Sequence, residues 1–215
     1  MSDSRPTPVT GWDAAASGSQ MADDGPLGRI VRWLYLAGGG IGLLASFVLM
    51  VEKIALLADP SYVPTCSLNP VLSCGSVMAT PQAAAFGVAN PLLGITGFAM
   101  LVTAGIALIA RFRPPQWFWL ALQAGTTFGV LFVHWLIWQS LYSIGALCPY
   151  CMVVWAVTIP LFWYTTLHNL ERGHLTGRPT GAVLVRFHSF VLALWFMAII
   201  ALIAVRFWDY WVTLV

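Results

Sequence analysis

The sequence predicts an all-α integral membrane protein that crosses the bilayer with five helices. Three observations lead there. Only 8% of the residues are charged, against roughly 25% in soluble domains. The mean hydropathy is +0.81, with 59% hydrophobic residues. The apolar residues are gathered in five runs, each near or above the roughly 20 residues a helix needs to cross hydrocarbon. Eleven Trp and twelve Phe suit aromatic belts at the two interfaces. A net charge of +2, with no long basic run, gives nucleic acid no footing, and no nucleic-acid partner is expected.

Residues 1–28 are rich in Ser, Pro, Gly, Ala and Asp without an apolar period, and read as a disordered cytoplasmic tail. Residues 29–215 read as one membrane domain. Its first span runs from about Ile30 to Met50, with the helix expected to continue past Glu52 and Lys53 toward Ala58. Gly38, Gly39, Gly40 and Gly42 offer it a close-packing face. The second span covers residues 91–110, with Gly94 and Gly97 on one side. The third covers 117–144, the fourth 148–167 with Pro160 inside, and the fifth 187–205.

Arginine placement gives the orientation. Arg29 and Arg32 precede the first span, Arg111 and Arg113 follow the second, and Arg172, Arg178 and Arg186 follow the fourth. With five spans these regions share one side, which the positive-inside rule makes cytoplasmic. The loop 59–90 and the link between the third and fourth spans hold no Lys or Arg and are expected outside, as is the C-terminus. Lys53 and Arg206 are the exceptions.

All four cysteines of the chain fall on that outer side. Cys148-Pro149-Tyr150-Cys151 stands where one apolar run ends and the next begins. Two thiols separated by two residues can cycle between dithiol and disulfide. With Cys148 as N-cap, Pro149 takes the first helical position, where its missing N–H costs nothing, and the helix dipole favours a thiolate at Cys148. Cys66 and Cys74 lie in the loop 59–90, which Pro60, Pro64, Pro70 and Pro81 keep from forming a long helix. The Ala-rich stretch 79–88 suggests a short surface helix over a pocket. Outside the cytoplasm, thiols form disulfides or exchange them. Two cysteine pairs suggest a relay. A static structural disulfide, a membrane scaffold, and a metal site ligated by all four cysteines are the alternatives; no metal is expected.

These motifs resemble the vitamin K epoxide reductase family. The resemblance rests on Cys66-x7-Cys74, then Val77, Thr80, Phe86-Gly87 and Asn90-Pro-Leu-Leu-Gly94, and later Cys148-Pro-Tyr-Cys151 with Trp155. It covers residues 30–206. It implies a four-helix bundle around a quinone, menaquinone or ubiquinone, plus one peripheral helix, in an inner or plasma membrane. It further implies that Cys151 stands beside the quinone, with Cys148 as its partner and the sulfur that exchanges with the loop. Cys74 would bridge to Cys148, and Cys66 would meet the external protein. Thr80, Phe86, Asn90 and Trp155 would belong to the quinone pocket, Asn90 as a donor to a quinone carbonyl. Animal members carry Tyr where Trp155 stands, which favours quinone reduction over epoxide reduction. The implied activity is a disulfide-generating quinone oxidoreductase that reoxidises an exported thioredoxin-like partner. Many bacterial members fuse that partner after the fifth helix. This chain stops at Val215, so a separate protein is expected, and the protein itself is expected to be a monomer. The resting disulfide pattern stays open.

Three polar features remain. His134, mid-way along the third span, is read as either an interhelical hydrogen bond or a quinone contact. Glu52 and Lys53 are read as a solvated end of the first span, and His168 and His174 as solvated headgroup contacts.

Overall fold

The computed structural model describes residues 25–69 and 71–212. Most of the N-terminal tail (residues 1–24) lies outside the described residues. Its last residues are already helical. Pro26 opens helix α1 (Pro26–Ala58) at the position where a proline is pre-set for the helix. Helix α2 (Cys74–Met78) and a 3-10 turn (Pro81–Ala84) follow. Then come α3 (Asn90–Ile109) and α4 (Gln116–Trp138), which runs on into a π-helical turn (Gln139–Ile144). Helix α5 (Pro149–Glu171) continues through Pro160. The last described elements are α6 (Ala182–Arg186), α7 (His188–Arg206) and α8 (Trp208–Val212). Five helices are long and apolar enough to cross a membrane: α1, α3, α4 with its extension, α5 and α7. The protein is therefore an all-α membrane protein.

Helix α1 is longer than its apolar run. At about 1.5 Å per residue its 33 residues make a rod of roughly 50 Å, against a hydrocarbon core of roughly 30 Å. Its last turns, with Glu52 and Lys53, therefore project past the apolar layer.

Helix α1 packs along α3 and α5, and α5 packs along α4, while α3 and α4 barely touch. These four form the bundle. The approach of α1 to α3 depends on missing side chains. A Cβ on Gly42 would meet the Phe98 ring at 2.5 Å, and one on Gly105 would meet the Leu36 amide nitrogen at 2.8 Å. Such contacts let backbones come together where lipid offers no hydrophobic drive between helices. Gly40 and Gly97, expected in the packing faces, face open space instead. Between α1 and α5 the buried Tyr35 hydroxyl meets Thr165 Oγ1 at 2.7 Å, so neither hydroxyl is left orphaned in hydrocarbon.

Helix α7 is peripheral and has no buried residue. Polar contacts fasten it. Trp195 donates its indole N–H to His134 Nε2 at 3.0 Å, while His134 Nδ1 lies 2.8 Å from the Val130 carbonyl. His134 therefore carries its proton on Nδ1 and serves as an interhelical hydrogen-bonding residue. At the other end Arg206 donates to the Leu141 carbonyl at 2.8 Å. That carbonyl lies in the π turn, so the arginine occupies a structural position on the arginine-poor side. At the opposite end of the bundle His168 is not solvated, and His174 is only partly exposed. His168 is buried on the Trp119 ring, and His174 Nδ1 lies 3.0 Å from the buried Asn169 side chain.

Gly105→Ala should lower the thermal unfolding temperature in detergent, because the added methyl meets backbone and forces α1 and α3 apart, a cost of about 1–3 kcal/mol. Gly40→Ala, which adds a methyl into open space, should leave it unchanged or raise it slightly.

Candidate functional site

The loop between α1 and α3 is folded back on itself. Asp59 accepts from the Ser61 amide and hydroxyl at 2.9 and 2.7 Å, a local turn typical of this side chain. Asn69 accepts from the Val71 and Leu72 amides at 3.0 and 2.7 Å. Between these turns Cys66 reaches Cys74, and the two form a disulfide with their Cα atoms 5.6 Å apart.

Two backbone hydrogen bonds then tie the loop to the start of α5. The Leu147 amide donates to the Val71 carbonyl at 2.7 Å, and the Ser73 amide to the Leu147 carbonyl at 2.9 Å. The result is an isolated parallel bridge between Leu72 and Leu147, each immediately followed by the turn that carries a cysteine. Cys74 opens α2, and Cys148 caps α5 with Pro149 in the first turn. Their sulfurs end 3.1 Å apart. Cys74 and Cys148 are fully buried and Cys66 is 6% exposed. Cys148 and Cys151 are free thiols.

The sulfurs of Cys66, Cys74 and Cys148 lie within 4.8 Å of one another. With Cys66 and Cys74 joined, two of them are not thiolates and do not make a metal ligand set. Geometry and bonding favour sulfur exchange, which needs a thiolate next to a disulfide.

Cys148, just outside the membrane-crossing helix as its N-cap, has its thiol pKa lowered. The cause is chiefly the hydrogen bond from the Cys151 thiol, aided by the Cys151 and Tyr150 amides, with burial opposing. The Cys151 amide lies 3.4 Å from Cys148 Sγ.

Beneath the cysteines the bundle holds a partly open cavity of about 290 Å³. It occupies the space that opens because α3 and α4 stand apart, and its wall is almost wholly apolar. Cys151, Trp155 and Thr158 of α5 form one side, Phe98 of α3 and Phe132 of α4 the others, and Thr80, Gln82 and Ala83 lie over the top. The Ala-rich stretch thus covers a pocket as expected, but as a 3-10 turn. Pro81 at its start and the positive φ of Gly87 (77°) bound it.

The four candidate pocket residues take different places. Trp155 is buried, lines the cavity, and its indole Nε1 has no hydrogen-bond partner. Thr80 also lines it, its hydroxyl donating to the Val77 carbonyl at 2.7 Å. Asn90 lines the cavity while holding the turn above it: Nδ2 donates to the Gln82 carbonyl at 2.7 Å and Oδ1 accepts from the Ala85 amide at 3.1 Å. One N–H of Asn90 remains for other use. Phe86 is not in the cavity wall. It is 58% exposed and packs on Phe128 and Phe132, which are. His134 lies outside the wall as well.

Glu52 and Lys53 correct the reading of a solvated helix end. Glu52 is 6% exposed. It accepts from the Tyr62 hydroxyl at 3.0 Å, the Thr65 hydroxyl at 2.5 Å and the Thr65 amide at 3.4 Å. Lys53 donates to the Met78 carbonyl at 2.6 Å. The signal available in the sequence was a carboxylate inside a helix that otherwise reads as apolar. Its partners, 10 and 13 residues on, follow no local pattern.

With Cys66 and Cys74 joined and Cys148 and Cys151 free, the rate at which a small thiosulfonate modifies Cys148 should rise with a midpoint below the roughly 8.5 of a free cysteine. Cys151→Ala should move that midpoint upward, since it removes the thiol that donates to Cys148. Mass spectrometry of the labelled peptide against pH reads both.

A family model described as the vitamin K epoxide reductase family matches residues 33–166. That is more than half of the chain and takes in all four cysteines, Glu52 and Trp155. A search of curated proteins gives no match. The sulfur pairs, the bundle and the family match agree, and the chain belongs to the vitamin K epoxide reductase family, a group of quinone-associated oxidoreductases.

Proposed function

We propose that this protein takes two electrons from a thioredoxin-like dithiol protein outside the membrane and delivers them to a membrane quinone, so renewing disulfides in that partner. One observation carries the reading. The sulfurs form a continuous path, from the Cys66–Cys74 disulfide across 3.1 Å to Cys148 and on to Cys151 in the cavity wall. The arginine-poor loop that holds Cys66 supports an extracytoplasmic site.

Of the two disulfide sulfurs, Cys66 belongs to the less deeply buried residue, 6% exposed against 0% for Cys74, and it receives the partner's thiolate. The bond from Cys66 to the partner forms, the Cys66–Cys74 bond breaks, and Cys74 leaves as a thiolate. The partner's second thiol then displaces Cys66, releasing the partner as a disulfide. When Cys148 and Cys151 are joined, the Cys74 thiolate attacks Cys148 and Cys151 leaves as a thiolate. Cys66 next displaces Cys148 from Cys74, which restores the loop disulfide and leaves Cys148 and Cys151 as free thiols, the state seen here. The lowered pKa of Cys148 helps it leave.

The cavity fits a quinone on its own evidence: an apolar wall, Cys151 in that wall, and a buried indole N–H on Trp155 with no protein partner. When bound, a quinone supplies an acceptor for two electrons and two protons. In this reading Trp155 and the remaining N–H of Asn90, both lining the cavity, are the donors that would orient a carbonyl. Menaquinone and ubiquinone both suit such a wall. Trp155 offers no acidic hydroxyl, which favours quinone reduction over epoxide opening, where a proton must reach oxygen.

Quinone reduction by the purified protein, followed by absorbance with a reduced thioredoxin-like donor, tests this. Cys151→Ala should abolish turnover. Cys66→Ala should lose turnover with the protein donor and keep it with a small dithiol. Wild-type rates from Cys151→Ala would sink the proposal. Trp155→Phe should raise the quinone KM about threefold to tenfold, the worth of one neutral hydrogen bond, with little change in the rate of loop reduction.

A further inference from the structure

Glu52 and Lys53 are neighbours on α1, roughly 100° apart around the helix, and each reaches a different arm of the disulfide loop. Glu52 holds the Cys66 arm through Tyr62 and through both the hydroxyl and the amide of Thr65, the residue before Cys66. Lys53 holds the Cys74 arm through the Met78 carbonyl, at the end of the short helix that Cys74 begins. One turn below, Leu49 packs in a cluster with Cys66, Cys74, Met78 and Cys148. Helix α1 also packs along α5, whose N-cap is Cys148. Both reacting sulfurs are thus referred to the same rod.

A buried carboxylate is costly unless its hydrogen bonds are met, and apolar residues often fill such places at no loss of stability. What an apolar residue cannot do is fix three donors of a proline-rich loop at set positions. We propose that Glu52 and Lys53 are positioning residues for sulfur exchange: a two-armed clamp that fixes both ends of the loop on α1 and so presents Cys74 Sγ to Cys148 Sγ. This inference rests on the reading that these two sulfurs exchange.

The test isolates that pair. In full-length Cys66→Ser/Cys151→Ser protein in detergent, only Cys74 and Cys148 remain. In glutathione buffers, two thiols and one oxidised glutathione give one protein disulfide and two reduced glutathiones. The equilibrium reads the effective concentration of Cys74 at Cys148. Glu52→Ala and Lys53→Met in this background should each lower it at least about tenfold, with Glu52→Gln, which keeps one carbonyl acceptor, in between. In the four-cysteine protein the same substitutions should slow quinone reduction by the protein donor and spare turnover with a small dithiol. A merely structural role would lower both together. Effective concentrations within about twofold of the parent in Glu52→Ala and Lys53→Met would overturn the clamp while leaving the relay standing. Absence of any Cys74–Cys148 bridge in the parent would overturn the relay and the clamp with it. If Glu52→Ala does not accumulate as folded protein, Lys53→Met, which leaves Glu52 and its three donors in place, decides alone.

Discussion

The arrangement of the sulfurs depends on two backbone hydrogen bonds. Leu147 and the Val71–Ser73 segment pair for a single residue, with no sheet around them. Polar backbone at a membrane surface must find partners, and here each segment satisfies the other. The pairing sets the register of two turns, and each turn ends in a cysteine at a helix start. Sliding the pairing by one residue would turn the side chains to opposite faces and part Cys74 from Cys148. The meeting of Cys74 with Cys148 follows from this small bridge.

The bundle below has a complementary asymmetry. Missing side chains draw α1 and α3 together at Gly42 and Gly105, and α5 fills the other side of α1. Nothing comparable draws α3 to α4. The unfilled volume becomes an apolar cavity directly beneath a thiol, closed above by a turn that Asn90 fastens. Tight packing on one side and loose packing on the other therefore have one origin, the placement of glycines along α1 and α3. Gly97 and Gly125, with open space where a Cβ would stand, line the loose side.

Much of this was legible in the sequence. The five helices were, because twenty-residue apolar runs have few other uses. Cys148 as a cap followed by Pro149 was, because capping is a local matter of two residues. The resting pattern stood open between Cys66–Cys74 with Cys148–Cys151 and a bridging Cys74–Cys148; the structure matches neither in full, with Cys66–Cys74 joined and Cys148 and Cys151 free. What sequence reasoning missed depends on distant partners. Glu52 looked solvated because Tyr62 and Thr65 approach it only after the loop folds back. His134 stood undecided until Trp195, on a helix far along the chain, supplied its donor. Phe86 was grouped with the pocket by the family resemblance; it packs on Phe128 and Phe132, which form the wall. The Leu72–Leu147 bridge has no periodic signal, because one residue pair has no period.

The length of α1 has a consequence for life in real membranes. Bilayers differ in thickness by several ångströms, and a membrane protein answers by tilting or by deforming the lipid around it. A loop anchored to headgroups would shift against the bundle with each such change. Here the loop is anchored to a helix that outreaches the hydrocarbon, and Cys148 is held by a neighbour of that same helix. Tilt then carries the sulfurs of Cys74 and Cys148 as one body. Their spacing is set by protein contacts and is indifferent to the lipid composition around them.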